Sequence, residues 1–270
     1  MLRLHVGDSL SILPTIDTHS VQLIVTSPPY GSIIDYGMDD QIGYHDTYQT
    51  YLSKMDMIWK ECTRIIEPGC RMAINIGDQY VRKTESIDYQ TIAIQADYIR
   101  QIQSHGMLYL GMILWKKISN TSTTGGCSMM GSIYYPRDGY ISYEHEYILL
   151  FKKPGIARKP SAKNKELSKL TIEQRSEWFR GIWDIKPNRQ KDHPATYPVE
   201  LPERLIRMYT FYGETVLDPF VGSGSTLIAC RHAGRDGVGI ELNPEYAKLT
   251  VDNLSCGMMN YQGEKMIDIL

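Results

Sequence analysis

The stretch Thr215–Thr226, TVLDPFVGSGST, decides the fold of this chain. An apolar run that ends at Asp218 predicts a strand, Gly222 and Gly224 predict a tight turn, and the apolar residues that follow predict a helix. Glycines in such a turn let the backbone approach a ligand closely. The next apolar run ends at Glu241, which is placed to bind a ribose diol. The pattern therefore predicts a nucleotide-type site at the carboxyl edge of a parallel sheet.

A second stretch, Thr26–Tyr30 (TSPPY), follows the apolar run Val21–Val25, which predicts a short buried strand. Two consecutive prolines cannot extend a central strand, because they lack N–H donors and fix φ, so the strand should end at Ser27 in a rigid turn. Hydroxyl and carbonyl acceptors beside an aromatic ring suit a planar group that carries an NH2, such as a nucleobase with an exocyclic amine. Taken alone, the pentapeptide is equally compatible with a packed turn that binds nothing.

Together the two stretches resemble the amino-group DNA methyltransferases that use S-adenosylmethionine. Ser27–Tyr30 is similar to the catalytic motif of that family, and Asp218–Gly224 is similar to its cofactor loop. Because the catalytic motif comes first, the order resembles the β group of the family, in which the methyltransferase sheet is circularly permuted. The resemblance implies an α/β fold with a permuted, Rossmann-like methyltransferase sheet, an inserted target-recognition region, and S-adenosyl-L-methionine as the cofactor.

The resemblance also implies roles for single residues of the catalytic motif. Ser27 and the carbonyl of Pro28 are expected to accept hydrogen bonds from the target amine, Pro29 to stiffen the turn, and Tyr30 to stack on a flipped-out base. Serine at the first position is associated in this family mainly with the 4-amino group of cytosine, and aspartate with the 6-amino group of adenine. The expected activity is therefore site-specific methylation of cytosine N4 in DNA, with adenine N6 as the alternative.

The cofactor site implied by the resemblance draws on both ends of the chain. Its expected residues are Asp8, Asp218, Pro219, Phe220, Gly222, Gly224, Thr226, Glu241, Leu242, Asn243, His193 and Pro194. Asp8 corresponds to an acid beside the adenine, although it can equally cap the helix that follows it. His193 and Pro194 begin a segment similar to one that holds the methionine end of the cofactor, although a histidine there can also be a structural cap.

Two other classes of protein share part of this pattern. A nucleic-acid-binding protein with an inactive methyltransferase fold would keep the scaffold but not the intact Ser27–Tyr30 tetrad. A nicotinamide dehydrogenase would share the glycine turn, but its fingerprint needs a third glycine where this chain has Leu227. Neither class explains both motifs.

The composition excludes several further classes. No apolar run approaches the roughly 20 residues of a membrane span, so no membrane partner is expected. The five cysteines show no Cys-x-x-Cys spacing, which predicts a reduced, cytoplasmic protein without a metal site. No cysteine follows a proline, so the Pro-Cys nucleophile of the cytosine-5 methyltransferases is absent.

The charge of the chain is unevenly distributed. Residues 151–191 contain 12 Lys and Arg against 4 Asp and Glu, a local charge of +8 in a chain of net charge −2. Such a segment is either a solvated surface or a site for a polyanion, and the motifs favour double-stranded DNA. The predicted organisation is a catalytic half (residues 1–151), a basic target-recognition region (152–191) and a cofactor-binding half (192–270). The resemblance leaves open a cognate restriction endonuclease as a partner and a homodimer as the assembly.

Periodicity predicts the elements between the motifs. Apolar residues at helical spacing predict a helix over residues 47–66, ended by Pro68-Gly69, and an apolar run predicts a strand over residues 71–78. A second helix is predicted over residues 89–103. The glycine-bounded segment 31–40 is predicted to be a loop that closes over the catalytic turn.

Overall fold

The computed structural model describes residues 1–31, 37–38, 40–81, 90–117, 144–187, 197–256 and 267–270. His193 and Pro194, most of the predicted closing loop and the end of the basic segment lie outside the described residues.

The described strands follow one another along the chain with helices between most of them. They are β1 (Leu2–Val6), β2 (Val21–Thr26), β3 (Ile66–Ile76), β4 (Gln79–Val81), β5 (Gln90–Ile92), β6 (Leu108–Lys116), β7 (His145–Lys152), β8 (Ile182–Trp183), β9 (Thr215–Asp218), β10 (Asp236–Glu241) and β11 (Ile267–Ile269). Nine of these described strands form one sheet in the order β11-β1-β10-β9-β2-β3-β7-β6-β8, and β4 pairs with β5 separately. Strands β11 to β3 in this order are parallel, whereas β7 is antiparallel to both β3 and β6.

Helices cover both faces of the sheet. They are α1 (Ser9–Ile12), α2 (Tyr48–Ile65), α3 (Ile94–Ser104), α4 (Ala162–Leu167), α5 (Ile172–Trp178), α6 (Glu200–Tyr209), α7 (Ser225–Ala233) and α8 (Pro244–Cys256). Side chains of β2 alternate between two apolar cores, with Ile24 in the core under α2 and α3, and Leu23 and Val25 in the core under α6 and α7. A parallel strand that is buried on both faces needs such a continuous apolar run.

The permuted chain order is visible at the centre of the sheet. Strand β9 lies between β10 and β2, with Leu23 opposite Val216 and Ile24 opposite Leu217. Because β2 and β9 are parallel neighbours, the turn after Thr26 and the loop after Asp218 emerge side by side at the carboxyl edge. The predicted α/β class is confirmed, and the sheet is mixed because β7 runs against its neighbours.

Two predicted element boundaries are wrong. Helix α2 ends at Ile65 and β3 begins at Ile66, so Pro68 and Gly69 lie within the strand instead of separating it from the helix. The pairing of β2 with β3 shifts register between Val21 and Leu23, which accommodates the extra residues of β3 as an irregularity. The second helix begins only at Ile94, because residues 90–92 pair with β4.

The first part of the basic segment packs near the amino ends of the parallel strands. The Arg158 guanidinium pairs with Glu67 near the start of β3 at 3.0 Å, and the Ser168 hydroxyl accepts from the Tyr212 N–H just before β9 at 2.7 Å. Residues 158–168 therefore contact the edge of the sheet opposite Ser27, whereas β8, later in the same segment, pairs with Leu114 and Trp115 near the carboxyl end of β6. The boundaries of the three predicted regions and the recognition role stay predictions.

The described residues contain neither a membrane-spanning helix nor a cluster of metal ligands. None of the helices there combines the length and apolar character required to cross a bilayer. In the same residues, no group of three or more His, Cys, Asp or Glu side chains is arranged to bind a metal ion.

The approach of β3 to the chain after β7 predicts a specific glycine requirement. Gly69 has φ +84°, and a Cβ there would lie 2.4 Å from the Ala157 amide nitrogen. Gly106 has φ +88°, but a Cβ there would meet no atom within 4 Å. Both substitutions to alanine carry the left-handed backbone cost of about 1–2 kcal/mol, and only Gly69→Ala adds a clash of roughly 1–3 kcal/mol.

We therefore expect Gly69→Ala to lower the free energy of unfolding by at least about 1 kcal/mol more than Gly106→Ala, as measured by urea denaturation. Equal losses would contradict the close approach of β3 to residues 156 and 157.

Candidate active site

A cleft of about 810 Å³, counting its open mouth, lies at the carboxyl edge of β2, β9 and β10. Its walls include the following residues predicted from sequence: Asp8, Ser27, Pro29, Phe220, Gly222, Glu241, Leu242 and Asn243. The structure thus brings the proline turn and the glycine loop into one cavity. The other predicted residues that the structure describes lie outside the lining: Pro28, Tyr30, Asp218, Pro219, Gly224 and Thr226.

Glu241 joins the glycine loop to the turn after β10. Its carboxylate accepts from the Gly222 N–H at 2.8 Å and from the Asn243 N–H at 2.9 Å. Burial raises the pKa of Glu241, and these hydrogen bonds oppose the shift. A carboxylate has about four lone-pair sites, so Glu241 retains acceptors for the hydroxyls of a ribose.

Asp8 serves the fold and lines the cleft at once. Its carboxylate accepts from the Leu10 N–H at 3.0 Å, which caps α1. The neighbouring Ser9 hydroxyl donates to the Pro219 carbonyl and so connects α1 to the loop after β9. Both sequence interpretations of Asp8 are compatible with this position.

The two glycines of the loop have different surroundings. Gly222, at φ +55°, lines the cleft, as an approach of backbone to a ligand requires. Gly224 has φ +91°, and a Cβ there would lie 2.8 Å from Thr250 Cγ2 on α8. The missing side chain of Gly224 is therefore required by helix packing, which differs from the sequence interpretation. A direct contact of Gly224 with the cofactor stays a prediction.

Asp218 is buried behind the cleft and links three elements. It accepts from the Thr26 hydroxyl at the end of β2 at 2.7 Å, from the Phe220 N–H at 3.0 Å, and from the Thr226 hydroxyl on α7 at 2.5 Å. The Tyr197 hydroxyl lies 3.1 Å away as a fourth donor. Burial raises the pKa of Asp218 although these donors pull it down. Asp218 and Thr226 thus support the wall of the cleft instead of forming it.

The proline turn is held from the side of α2. The Tyr51 hydroxyl donates to the Pro29 carbonyl at 2.7 Å, while Pro28 is buried. Ser27 lines the cleft, and its hydroxyl lies 3.1 Å from the Tyr30 hydroxyl. The turn therefore presents Ser27 to the cavity from a fixed position.

Three polar residues that the motifs do not include complete this region. The Asn75 amide NH2, on β3, donates to the Tyr30 hydroxyl at 2.8 Å and to Glu146 Oε2 at 2.7 Å. The Tyr30 hydroxyl donates to the same Glu146 oxygen at 3.1 Å, and Lys117 Nζ donates to the other at 2.5 Å. Asparagine and glutamate inside apolar strands are unusual when buried, which is the one signal in the sequence that could have identified them.

The cleft also has walls that the sequence did not predict. Tyr197, Ser223 and Tyr246 line it. Tyr197 follows the segment that contains His193, and its backbone carbonyl accepts from the Ser225 hydroxyl at 3.0 Å. Single tyrosines and serines carry no distinguishing pattern, so only the assembled sheet identifies them.

Comparisons with known proteins agree with this arrangement. The type II methyltransferase M.MthZI of Methanothermobacter thermautotrophicus is 32% identical over 257 residues, which is 85% of this chain and 70% of that protein. M.MjaI of Methanocaldococcus jannaschii is 33% identical over 84% of this chain and 83% of its own. TTHA0409 of Thermus thermophilus, solved in complex with S-adenosyl-L-methionine, matches with a TM-score of 0.79 and 35% identity over 100% of both chains.

The DNA methylase family (N6_N4_Mtase) matches residues 21–252, which include both the proline turn and the glycine loop. With most of its length matched, and with both motifs placed at one cleft, the chain belongs to the DNA methylase family.

Proposed function

We propose that this DNA methylase transfers the methyl group of S-adenosyl-L-methionine to the exocyclic 4-amino group of cytosine within a specific DNA site. One observation carries the proposal: Ser27 lines the same cleft as Gly222 and Glu241. A turn suited to an amine and a loop suited to a nucleoside thus face one cavity. Serine at the first motif position favours cytosine over adenine, as the family association implies.

The cleft suits the adenosine part of the cofactor. Glu241 has free lone pairs for a ribose diol, Gly222 exposes backbone, and Phe220 offers an aromatic face. Asp8, which follows the strand paired with β10, would contact the adenine, and His193 and Pro194 are proposed to hold the methionine end. When bound, S-adenosyl-L-methionine supplies an electrophilic methyl group on a sulfonium.

The chemical role of the proline turn is to prepare the amine. The lone pair of an exocyclic amine is delocalised into the ring, so the nitrogen is a weak nucleophile. Acceptors at Ser27 Oγ and the Pro28 carbonyl would hold its two N–H groups and direct the lone pair out of the ring plane. The Pro29 carbonyl already accepts from Tyr51. Holding the amine and the methyl group in line can lower the activation barrier by up to about 7–11 kcal/mol.

A base within a duplex cannot reach this cleft and has to be flipped out, which costs a few kcal/mol. Tyr30 is proposed to stack on the flipped base. The basic segment, predicted as the target-recognition region, is proposed to bind DNA phosphates. Lys186 is exposed just after β8, which pairs with the carboxyl end of β6, whereas Lys163 and Lys169 lie towards the opposite edge of the sheet. A cognate endonuclease of a restriction-modification pair and a homodimer stay predictions.

The first prediction from the proposed function concerns the acceptor at the proline turn. Ser27→Ala removes the hydroxyl but leaves the cofactor site intact, so kcat for methyl transfer to DNA should fall by about 10²-fold. The affinity for S-adenosyl-L-methionine, measured by calorimetry, should change less than twofold. Ser27→Thr, which keeps a hydroxyl, should retain more activity than Ser27→Ala. The control Ser53→Ala removes a hydroxyl on the exposed side of α2 and should have wild-type kcat. Full activity of Ser27→Ala would refute the acceptor role.

The second prediction concerns Glu241. Its pKa is raised by burial, so as the pH falls towards the ordinary range of glutamate, this carboxylate protonates before exposed ones do and loses acceptor sites. Cofactor affinity should therefore weaken as the pH is lowered through that raised pKa. Glu241→Gln should bind roughly tenfold more weakly at neutral pH, with little further change on acidification.

The matched control is Glu245→Gln, an exposed glutamate in the first turn of α8. Calorimetric titrations from pH 5 to 8 distinguish the three proteins. A steep acid dependence that survives in Glu241→Gln would assign the titration to another group.

The third prediction concerns the target base. DNA incubated with the protein and S-adenosyl-L-methionine, then digested to nucleosides, should contain N4-methylcytosine by mass spectrometry. N6-methyladenine in its place would support the alternative target, and cofactor binding without either product would support an inactive fold.

A further inference from the structure

Glu146 is a buried carboxylate that neither sequence motif includes. Only 8% of the residue is exposed, and both oxygens are occupied. Oε2 accepts from the Tyr30 hydroxyl at 3.1 Å and from the Asn75 NH2 at 2.7 Å, while Oε1 accepts from Lys117 at 2.5 Å. A buried anion with three donors is costly to maintain unless each donor is well placed. The arrangement ties the start of β7 to the catalytic turn.

Counting hydrogens fixes the direction of these bonds. A carboxylate can only accept, and the Tyr30 hydroxyl has one hydrogen, which it donates to Glu146. The Tyr30 oxygen can then only accept in its other contacts. The hydrogen in the 3.1 Å contact between Ser27 and Tyr30 must therefore come from Ser27.

This direction leaves lone pairs of the Ser27 oxygen available as hydrogen-bond acceptors. Since its hydrogen points to Tyr30, the Ser27 oxygen can present acceptor sites to the cleft. The Asn75 NH2 lies 3.5 Å from this oxygen and occupies at most one of them. If Tyr30 donated to Ser27 instead, the Ser27 hydrogen would be free to point towards the N–H groups of an amine and repel them.

We propose that Glu146 is a positioning residue, which acts through Tyr30 to make Ser27 a hydrogen-bond acceptor for the target amine. This inference rests on the proposed function, because it requires an amine at Ser27. Lys117, whose side chain is 37% exposed, assists by holding the second carboxylate oxygen of Glu146.

The role of Lys117 makes the inference testable by rescue. In Glu146→Gln, the ammonium of Lys117 attracts the new amide oxygen, so the new NH2 faces Tyr30 and Asn75, which are both donors. One way to relieve this is for the Tyr30 hydroxyl to donate to Ser27 instead. The other is a flip of the Asn75 amide, which would place its NH2 in the buried position that Asn75 Oδ1 occupies in wild type, where the described structure offers no hydrogen-bond partner. Adding Lys117→Met frees the amide oxygen to face Tyr30 and restores the original direction.

The experiment compares wild type, Glu146→Gln, Lys117→Met and the double variant in single-turnover methylation at saturating DNA and cofactor. Glu146→Gln should lower the rate by about tenfold or more, with cofactor affinity within twofold of wild type. The double variant should be at least threefold faster than Glu146→Gln despite its extra substitution, and Lys117→Met alone should lose less than Glu146→Gln. In a Tyr30→Phe background, Glu146→Gln should have little further effect.

A matched control is Glu67→Gln, which alters another buried glutamate that pairs with Arg158 at the opposite edge of the sheet. It should lower the melting temperature and leave the rate unchanged. Wild-type rates in Glu146→Gln would overturn the inference. A double variant no faster than Glu146→Gln would also overturn it, because the loss of a structural ion pair predicts that result.

The proposed function is tested separately by the wild-type protein. If wild type forms no methylated base, the proposed function fails. If wild type methylates DNA and Glu146→Gln does so equally well, only the role of Glu146 fails. Circular dichroism melts of all variants separate a loss of folding from a loss of rate. If Glu146→Gln alone is unstable, Tyr30→Phe provides the test, because it keeps the aromatic ring and the Lys117–Glu146 pair but removes the hydroxyl through which Glu146 acts. It should then lower the rate, and an unchanged rate would overturn the inference.

Discussion

The parallel pairing of β2 with β9 is the constraint on which the rest of the structure depends. Leu23 and Ile24 pair with Val216 and Leu217, although the paired residues are 193 positions apart in the sequence. The Thr26 hydroxyl then donates to Asp218 where the two strands end. The proline turn and the glycine loop meet at the cleft because of this junction, since one continues β2 and the other continues β9.

Buried or half-buried carboxylates recur along the carboxyl edge of the sheet, and each one connects neighbouring elements. Asp218 connects β9 to β2, Glu241 connects β10 to the glycine loop, and Glu146 connects β7 to β3 and the proline turn. Removing a carboxylate from water costs several kcal/mol unless donors compensate it. A parallel sheet alone leaves the ends of its strands without lateral hydrogen bonds, and these three acids supply them with fixed geometry.

The sequence was sufficient for the α/β class and for the residues of the two motifs, because apolar runs, prolines and glycines act locally. It was insufficient where register decides. Glu146 meets Asn75 only because β7 pairs antiparallel with β3, and Gly224 meets Thr250 only because α8 packs beside α7. The basic segment shows the same limit: its charge was evident, but its contacts with Glu67 and Tyr212 depend on the route of the chain beneath the sheet.

The distance in sequence between β2 and β9 has a consequence for how activity arises during synthesis. Contacts between such remote segments carry a large loop-closure cost and form late in folding. On the ribosome the proline turn emerges first, and the strand that completes its cleft emerges 192 residues later. A growing chain therefore holds half an active site while those residues are made, and competence to modify DNA begins only when β9 and β10 insert into the sheet.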